Sequence, residues 1–332
     1  MTSSETLRIS NQPGELNEGL FGQIVLYVFE LLPYLKANGI YPDWNITSKL
    51  YGRSPDFTVL PGVFDLAYIP PRGKLKEVDL YALRAAHTSV LGGDWRALHD
   101  LWHSYFRVPQ RVLRAADGVD IGAHTLGVHY RGQDKNALTH GDTNSVSQAE
   151  FLTLVRGFID EHARVDSLFV ATDEYSFVKA ISSEFPHLKI INLGEVDFHK
   201  QANDVPQKAD RALLDAVLLS RCEHVIKCSS ALSSFAKVLR PELSIFRIAA
   251  CKLFADIPYF PDAYIPTLHS SSPESNRILG RLMKDDWLDN PEARRRFGTP
   301  FVDQPRFTGQ QKLFSWVQYQ RHRIRRFRGR VA

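Results

Sequence analysis

The sequence predicts an α/β protein whose second half is a parallel sheet with helices on both faces. Short apolar runs at 125–130 (TLGVHY), 167–172 (SLFVAT), 188–193 (LKIINL), 224–228 (HVIKC) and 243–248 (LSIFRI) have strand length. Between them lie stretches with apolar residues at helical spacing, such as Phe151, Leu154, Val155, Phe158 and Ile159. Apolar strands alternating with amphipathic helices are the pattern of a parallel sheet buried on both sides.

The first half is less regular. Leu20, Phe21, Ile24, Val25, Val28, Leu31, Leu32 and Leu35 recur at helical spacing, and Gly39 offers a stop. This run contains Gln23, Glu30 and Pro33 and falls short of the ~20 apolar residues of a membrane span, so it reads as a buried helix. A second helix over Asp94–Phe106 puts Trp95, Leu98, Leu101, Trp102 and Tyr105 on one face, and Pro70-Pro71-Arg72-Gly73 is a loop. In the second half Ser147 and Glu150 form a capping box that opens a helix. Helices are expected at Glu174–Phe185, stopped by Pro186, at Ala209–Arg221, and at Ala231–Leu239, ended by Pro241. A length of 332 residues suits two domains of ~150 residues, and the boundary falls at Asp117-Gly118. The regions are 1–117, 118–258 and a loop-rich, then helical, 259–332.

Apolar residues at 44% and charged residues at 23% exclude a disordered, collagenous or coiled-coil chain. Cys222, Cys228 and Cys251 are too few for a disulfide scaffold and have no zinc-ribbon spacing. The start lacks a basic region followed by an apolar core, so no signal peptide is expected, and the chain reads as cytoplasmic. Its net charge is +4, yet Arg321, Arg323, Arg325, Arg326, Arg328 and Arg330 crowd the C-terminus. Without them the balance is negative, so the body is no polyanion-binding surface. Interleaved with Leu313, Phe314, Trp316, Val317, Ile324 and Phe327, these arginines suit an anionic membrane surface, a nucleic acid, or a solvated helix end packed on the first domain. Nucleic acid is the weakest of the three and is not expected as a partner.

Ligand sites in open parallel sheets lie beyond the carboxyl ends of the strands. The first strand of the regular half leaves as His129-Tyr130-Arg131-Gly132-Gln133-Asp134-Lys135. An Arg fork, a Lys point charge and an imidazole suit a phosphate, and such cations would stabilise charge growing on a departing diphosphate. The alternative is a solvated loop with a local Arg–Asp pair. At the next strand end Thr172 or Asp173 caps the following helix, or Asp173 binds a ribose or orders a neighbouring Arg. Ser229 and Ser230 precede a helix, as an anion site or as ordinary N-caps. Asp215, among Leu213, Leu214, Val217 and Leu218, needs a partner: a nucleobase edge, or Arg211. His99-Asp100-Leu101-Trp102-His103 resembles a metal-binding HExxH helix with Asp in place of Glu, but both histidines flank the Trp95/Trp102 face and read as structural. GxGxxG, P-loop and GxSxG motifs are missing, which removes the main support for dinucleotide oxidoreductases, P-loop kinases and serine hydrolases.

The strings GVHYRGQDK (127–135), FVATDEYSF (169–177) and ALLDAVLLSRCEHVIKCSSALSSF (212–235) together resemble the motifs of the α-1,6-fucosyltransferase and nodulation-fucosyltransferase group and related O-fucosyltransferases. Residues 17–23 also fit the glycine-containing start of the first helix in such proteins. The resemblance implies two Rossmann-like domains of GT-B type, with 1–117 on the acceptor side and 118–258 binding the donor. It implies GDP-fucose as donor substrate, inversion at the sugar carbon, and neither cofactor nor metal. The acceptor would be a glycan or a lipid-linked saccharide. By position, His129 and Arg131 would hold the diphosphate with Lys135 nearby. Asp173 would support the nucleoside side or order its loop, Asp215 would face the guanine or its loop, and Ser229 or Ser230 would meet the phosphates. Two departures stand out. Gly132 and Gln133 occupy places where the fuller motif often has a second Arg and a Thr, and Thr139 takes the spacing of the catalytic acid. His140, Asp142 and Asp134 are then the nearest candidate bases. With the base unmatched, the alternative is a non-catalytic nucleotide-sugar-binding protein.

Overall fold

A computed structural model describes residues 6–11, 19–48, 50–51, 58–70, 75–87, 89, 92–132, 143–195, 198, 207–254, 257–258 and 262–297. The first half is built on strands β1 (Thr6–Ser10), β2 (Asp43–Thr47), β3 (Thr58–Leu60) and β5 (Leu75–Asp79), in the order β3-β2-β1-β5. β1 runs parallel to β2 and β5, while β3 is antiparallel to β2. A two-residue β4 (Asp65–Leu66) pairs with β6 (Phe106–Arg107).

The apolar run at residue 20 winds first as a π-helical stretch, Leu20–Val25, and then as α1 (Leu26–Ala37). Leu20, Ile24, Val28, Leu31, Leu32 and Leu35 are buried in the core, as their spacing requires. The helix closes at Gly39, whose φ of +62° lets the Ile40 N–H donate to the Leu35 carbonyl and the Gly39 N–H to that of Lys36. Helices α2 (Leu80–His87), α3 (Trp95–His103) and α4 (Gln110–Asp117) complete this half. The helix expected over 94–106 stops at His103, and Phe106 turns into β6 to stack on Trp102.

The second half holds five parallel strands, β7 (Thr125–Tyr130), β8 (Ser167–Thr172), β9 (Lys189–Ile191), β10 (His224–Lys227) and β11 (Ser244–Arg247), in the order β11-β10-β7-β8-β9. Its crossovers are α5 (Gln148–Glu161), α6 (Tyr175–Glu184), α7 (Lys208–Arg221) and α8 (Ala231–Leu239). The capping box of Ser147 and Glu150 opens α5 as expected. After the short antiparallel pair β12 (Leu253–Phe254) and β13 (Ile257–Pro258), the chain returns through α9 (Pro273–Leu282) and α10 (Pro291–Phe297).

Each face of this sheet has its own core. Leu126, Val128 and Tyr130 pack with α5, α6 and α9 through Phe151, Phe177 and Ile278. Phe169, Ala171 and Val225 on the other face pack with α7 and α8, and that core continues without a break into the first half. At the junction, the ring of Phe235 on α8 lies 5.1 Å from Phe21, 6.0 Å from Phe64 and 5.1 Å from Trp102. Arg111 on α4 grips Asp210 on α7 with two hydrogen bonds of 3.0 and 2.8 Å and donates a third to the Gly62 carbonyl.

Candidate functional site

Along the sheet, the chain leaves β7 toward β8 on one side and comes back to β10 on the other. The strand order therefore reverses between β7 and β10, the position at which open parallel sheets take their ligands. Pairing in register sets Ala171, His129, Lys227 and Arg247 side by side across β8, β7, β10 and β11. Three of these four are basic or imidazole side chains, so the strand tips bring cationic groups into one row.

Each cation at these tips has its own carboxylate. Arg131, one residue past β7, forms an ion pair of 3.0 Å with Asp173, one residue past β8. Asp173 also accepts a 3.1 Å hydrogen bond from the Gly132 N–H, so one buried carboxylate fixes both the side chain and the backbone as the chain leaves the sheet. The Arg131 side chain remains 27% exposed. Asp173 thus pairs with a neighbouring Arg, one of the arrangements open for it. Glu174, at the N-cap position of α6, makes no capping bond, and its N–H is met by the Thr172 hydroxyl at 3.1 Å.

Gly132 has a steric reason. A Cβ built there would lie 1.8 Å from Oε2 of Glu174 and 2.8 Å from the Tyr130 ring. Glu174 is held in that place by Gln148 (2.7 Å) and Ser176 (3.0 Å).

His129 is buried in the row beside Lys227. Asp215 is buried on α7 and pairs with Arg211 at 3.3 Å. Arg211 also donates to the carbonyls of Leu193 and Gly194, at 2.9 Å each, beyond the end of β9. Burial pushes the Asp215 carboxyl up to about 6, against the pull of Arg211. The partner left open between a nucleobase and Arg211 is, in this structure, Arg211.

Ser229 and Ser230 depart from expectation in a specific way. Ser230 sits at the N-cap position of α8, yet its side chain makes no capping bond. Its backbone N–H instead donates to Asp262 at 2.8 Å, and Asp262 also accepts from Lys227 Nζ at 2.8 Å and from the Ser234 hydroxyl. An internal carboxylate therefore stands at this helix start, which the sequence leaves open as an anion site or an ordinary N-cap. Burial opposes the charge on Asp262, but Lys227 and the hydroxyls of Ser234 and Ser229 hold its carboxyl below the usual range. One strand further on, Arg247 is buried in a two-bond pair with Asp286 at 2.7 and 2.8 Å.

Asp134, Lys135, His140 and Asp142 lie outside the described residues, as does the arginine-rich tail. His99 and His103, with rings 4.2 Å apart, play the structural part expected: His99 Nδ1 bonds the Val238 carbonyl at 2.8 Å and ties α3 to α8. His103 lines a cleft of ≈ 540 Å³ with Arg107, Gln110 and Arg221, away from the strand tips. Among the described residues, no group of three or more His, Cys, Asp or Glu is placed to hold a metal ion. All three cysteines are buried and unbridged, and burial pushes the Cys222 and Cys228 thiols up to about 12.

Sequence reasoning assigned no role to Lys227, Asp262, Arg247 or Asp286. A lysine inside the apolar run HVIKC was a signal for the first of them, because a buried ammonium needs a counter-charge. Nothing local marks Asp262, whose partner lies 35 residues away.

No protein-family model matches the chain, and no curated protein matches it. Solved structures similar to it include fucosyltransferases. NodZ α-1,6-fucosyltransferase soaked with GDP-fucose is 16% identical, with 73% of this chain and 95% of that one covered at a TM-score of 0.47. A mutant of Arabidopsis thaliana FUT1 in complex with GDP is 8% identical, covering 75% and 71%, at 0.44. The apo form of POFUT1 is 12% identical, covering 73% and 74%, at 0.39. Likeness of this degree assigns no activity to the chain.

Proposed function

We propose that the protein is a glycosyltransferase that moves fucose from GDP-fucose to a hydroxyl of a glycan or lipid-linked saccharide. One observation carries the reading. Arg131 belongs to the string that resembles the fucosyltransferase donor motif, stands at the carboxyl end of the central strand beside the strand-order reversal, and has a side chain 27% exposed although Asp173 fixes it. In this reaction the bond from the sugar carbon to the diphosphate oxygen breaks and a bond from that carbon to the acceptor oxygen forms. The acceptor proton passes to a base, for which Asp134, His140 and Asp142 are the candidates. Negative charge grows on the departing diphosphate, and an oriented guanidinium stabilises it more in the transition state than in the ground state. Arg131 supplies in this scheme what a divalent cation supplies elsewhere, so transfer proceeds without metal.

Calorimetry with GDP, UDP and ADP, and a fucose-transfer assay run in chelator, test the proposal. GDP is expected to bind in preference to the other two. Arg131→Ala is expected to abolish transfer with circular dichroism unchanged; full turnover by this variant sinks the assignment. A second reading, a nucleotide-sugar-binding protein without catalysis, is favoured by the engagement of Lys227 and Ser230 with Asp262. It predicts GDP-fucose binding with neither transfer nor donor hydrolysis.

A further inference from the structure

The core shared by the two halves reaches the surface along their seam. The cleft of ≈ 540 Å³ there has walls from β6 and α4 of the first half and from α7 and α8 of the second. It lies at the end of the second sheet opposite the strand tips, since α7 closes at Arg221 just before β10 begins at His224. Its floor is aliphatic. Val108, Leu113 and Leu239 are partly buried against the common core, to which Val217 belongs. Clefts of roughly 300–1,000 Å³ at such junctions, apolar with a few placed polar groups, are the usual form of a small-molecule site.

The charged groups of the cleft lean to one sign. Arg107 on β6 and Arg221 on α7 both line it, and Asp65, the cross-strand neighbour of Arg107, is the single carboxylate among the described lining residues. Arg221 is braced at 2.6 Å by Asp117, which is not part of the lining. Arg107 is exposed and enters no ion pair among the described residues. We propose that this cleft is a second ligand site, separate from the strand tips, for a small amphipathic carboxylate. The Arg107 guanidinium meets the carboxylate as a planar fork, and the hydrocarbon body lies on Val108, Leu113, Val217 and Leu239. Both halves form the walls, so the bound molecule joins them and stabilises the folded chain by mass action. The site stands whether or not the strand tips take a nucleotide sugar.

Calorimetric titration of the full chain with octanoate, 1-octanol and inorganic phosphate tests the site. Octanoate is expected to bind saturably, one per chain. The alcohol lacks the charge and phosphate lacks the apolar body, so each should bind about tenfold more weakly or not at all. Absence of octanoate binding, or an equal affinity for either of the other two, overturns the proposal. Variants at the rim and floor locate it. Arg107→Gln should weaken octanoate about tenfold, and Leu113→Trp, which fills the cleft, should abolish binding. Asp65→Asn removes the opposing carboxylate and should tighten binding about threefold; weaker binding there contradicts the assigned charge. Octanoate affinity untouched by both Arg107→Gln and Leu113→Trp rules out this cleft. His103 gives a readout on the wild type. Burial holds its imidazole below the ordinary range, with His99 and Arg107 adding to the effect against the pull of Asp100 and the Phe106 backbone. An anion on Arg107 cancels part of that field, so the His103 titration followed by NMR should move to higher pH with octanoate bound, and an unmoved titration overturns the placement. If Leu113→Trp does not fold, Arg107→Gln and the His103 titration decide.

Discussion

Gly132 and Asp215 make the most exposed claims at the level of single residues. Gly132→Ala places a methyl group against the Glu174 carboxylate and is expected to cost about 1–3 kcal/mol in denaturant unfolding. Because the clashing atom ends a side chain, pairing the change with Glu174→Ala should recover most of that loss. Asp215 gives a pH signature. Its folded carboxyl, pushed up to about 6 by burial, holds its proton more tightly than in the unfolded chain, where release occurs near pH 4. As pH rises through that window the unfolded chain loses its proton first, so stability should fall by on the order of 2–3 kcal/mol and level off above it. Asp215→Asn is expected to flatten this slope; an unchanged slope would place the titration elsewhere. At this scale the sequence was half legible. Arg131 and Asp173 stood out because charged groups left apolar strands together, and their pairing was among the readings weighed. The Lys227–Asp262 and Arg247–Asp286 pairs were not visible, since partners 35 and 39 positions apart share no local pattern.

Individual elements were legible where periodicity and caps agreed. β7, β8 and α8 have the expected bounds, and α5 begins at its capping box. The shortest strand of the five-stranded sheet, β9, keeps only Lys189–Ile191 of the six residues expected, because the chain beyond it turns to meet Arg211. In the first half β1 and β5 could not be read: TLRIS and LKEVD carry too few apolar residues, and their pairing comes from β1 sitting between β2 and β5. Cap chemistry can be tested at α3, where the Asp94 side chain accepts from the Ala97 N–H at 3.0 Å. Asp94→Ala is expected to cost ~1 kcal/mol, measured as a shift in denaturant midpoint at constant m.

For the whole molecule, what matters is that one core runs through both halves. Phe235 enters an aromatic cluster made by Phe21, Phe64 and Trp102, and Arg111 reaches from α4 to α7. Calorimetry should therefore show one unfolding transition instead of two, and Phe235→Ala should lower it by the 3–5 kcal/mol typical of a buried Phe. Two separate transitions in the wild type would contradict a shared core. The sequence suggested a boundary at Asp117-Gly118 and said nothing of this continuity, because helix periodicity marks which face is apolar without naming what covers it.

That continuity restricts how the two halves can move. Parting the two halves would strip four aromatic rings of their cover and break the grip of Arg111 on Asp210. Motion at the strand tips is left to small local rearrangements, on a frame that stays clenched.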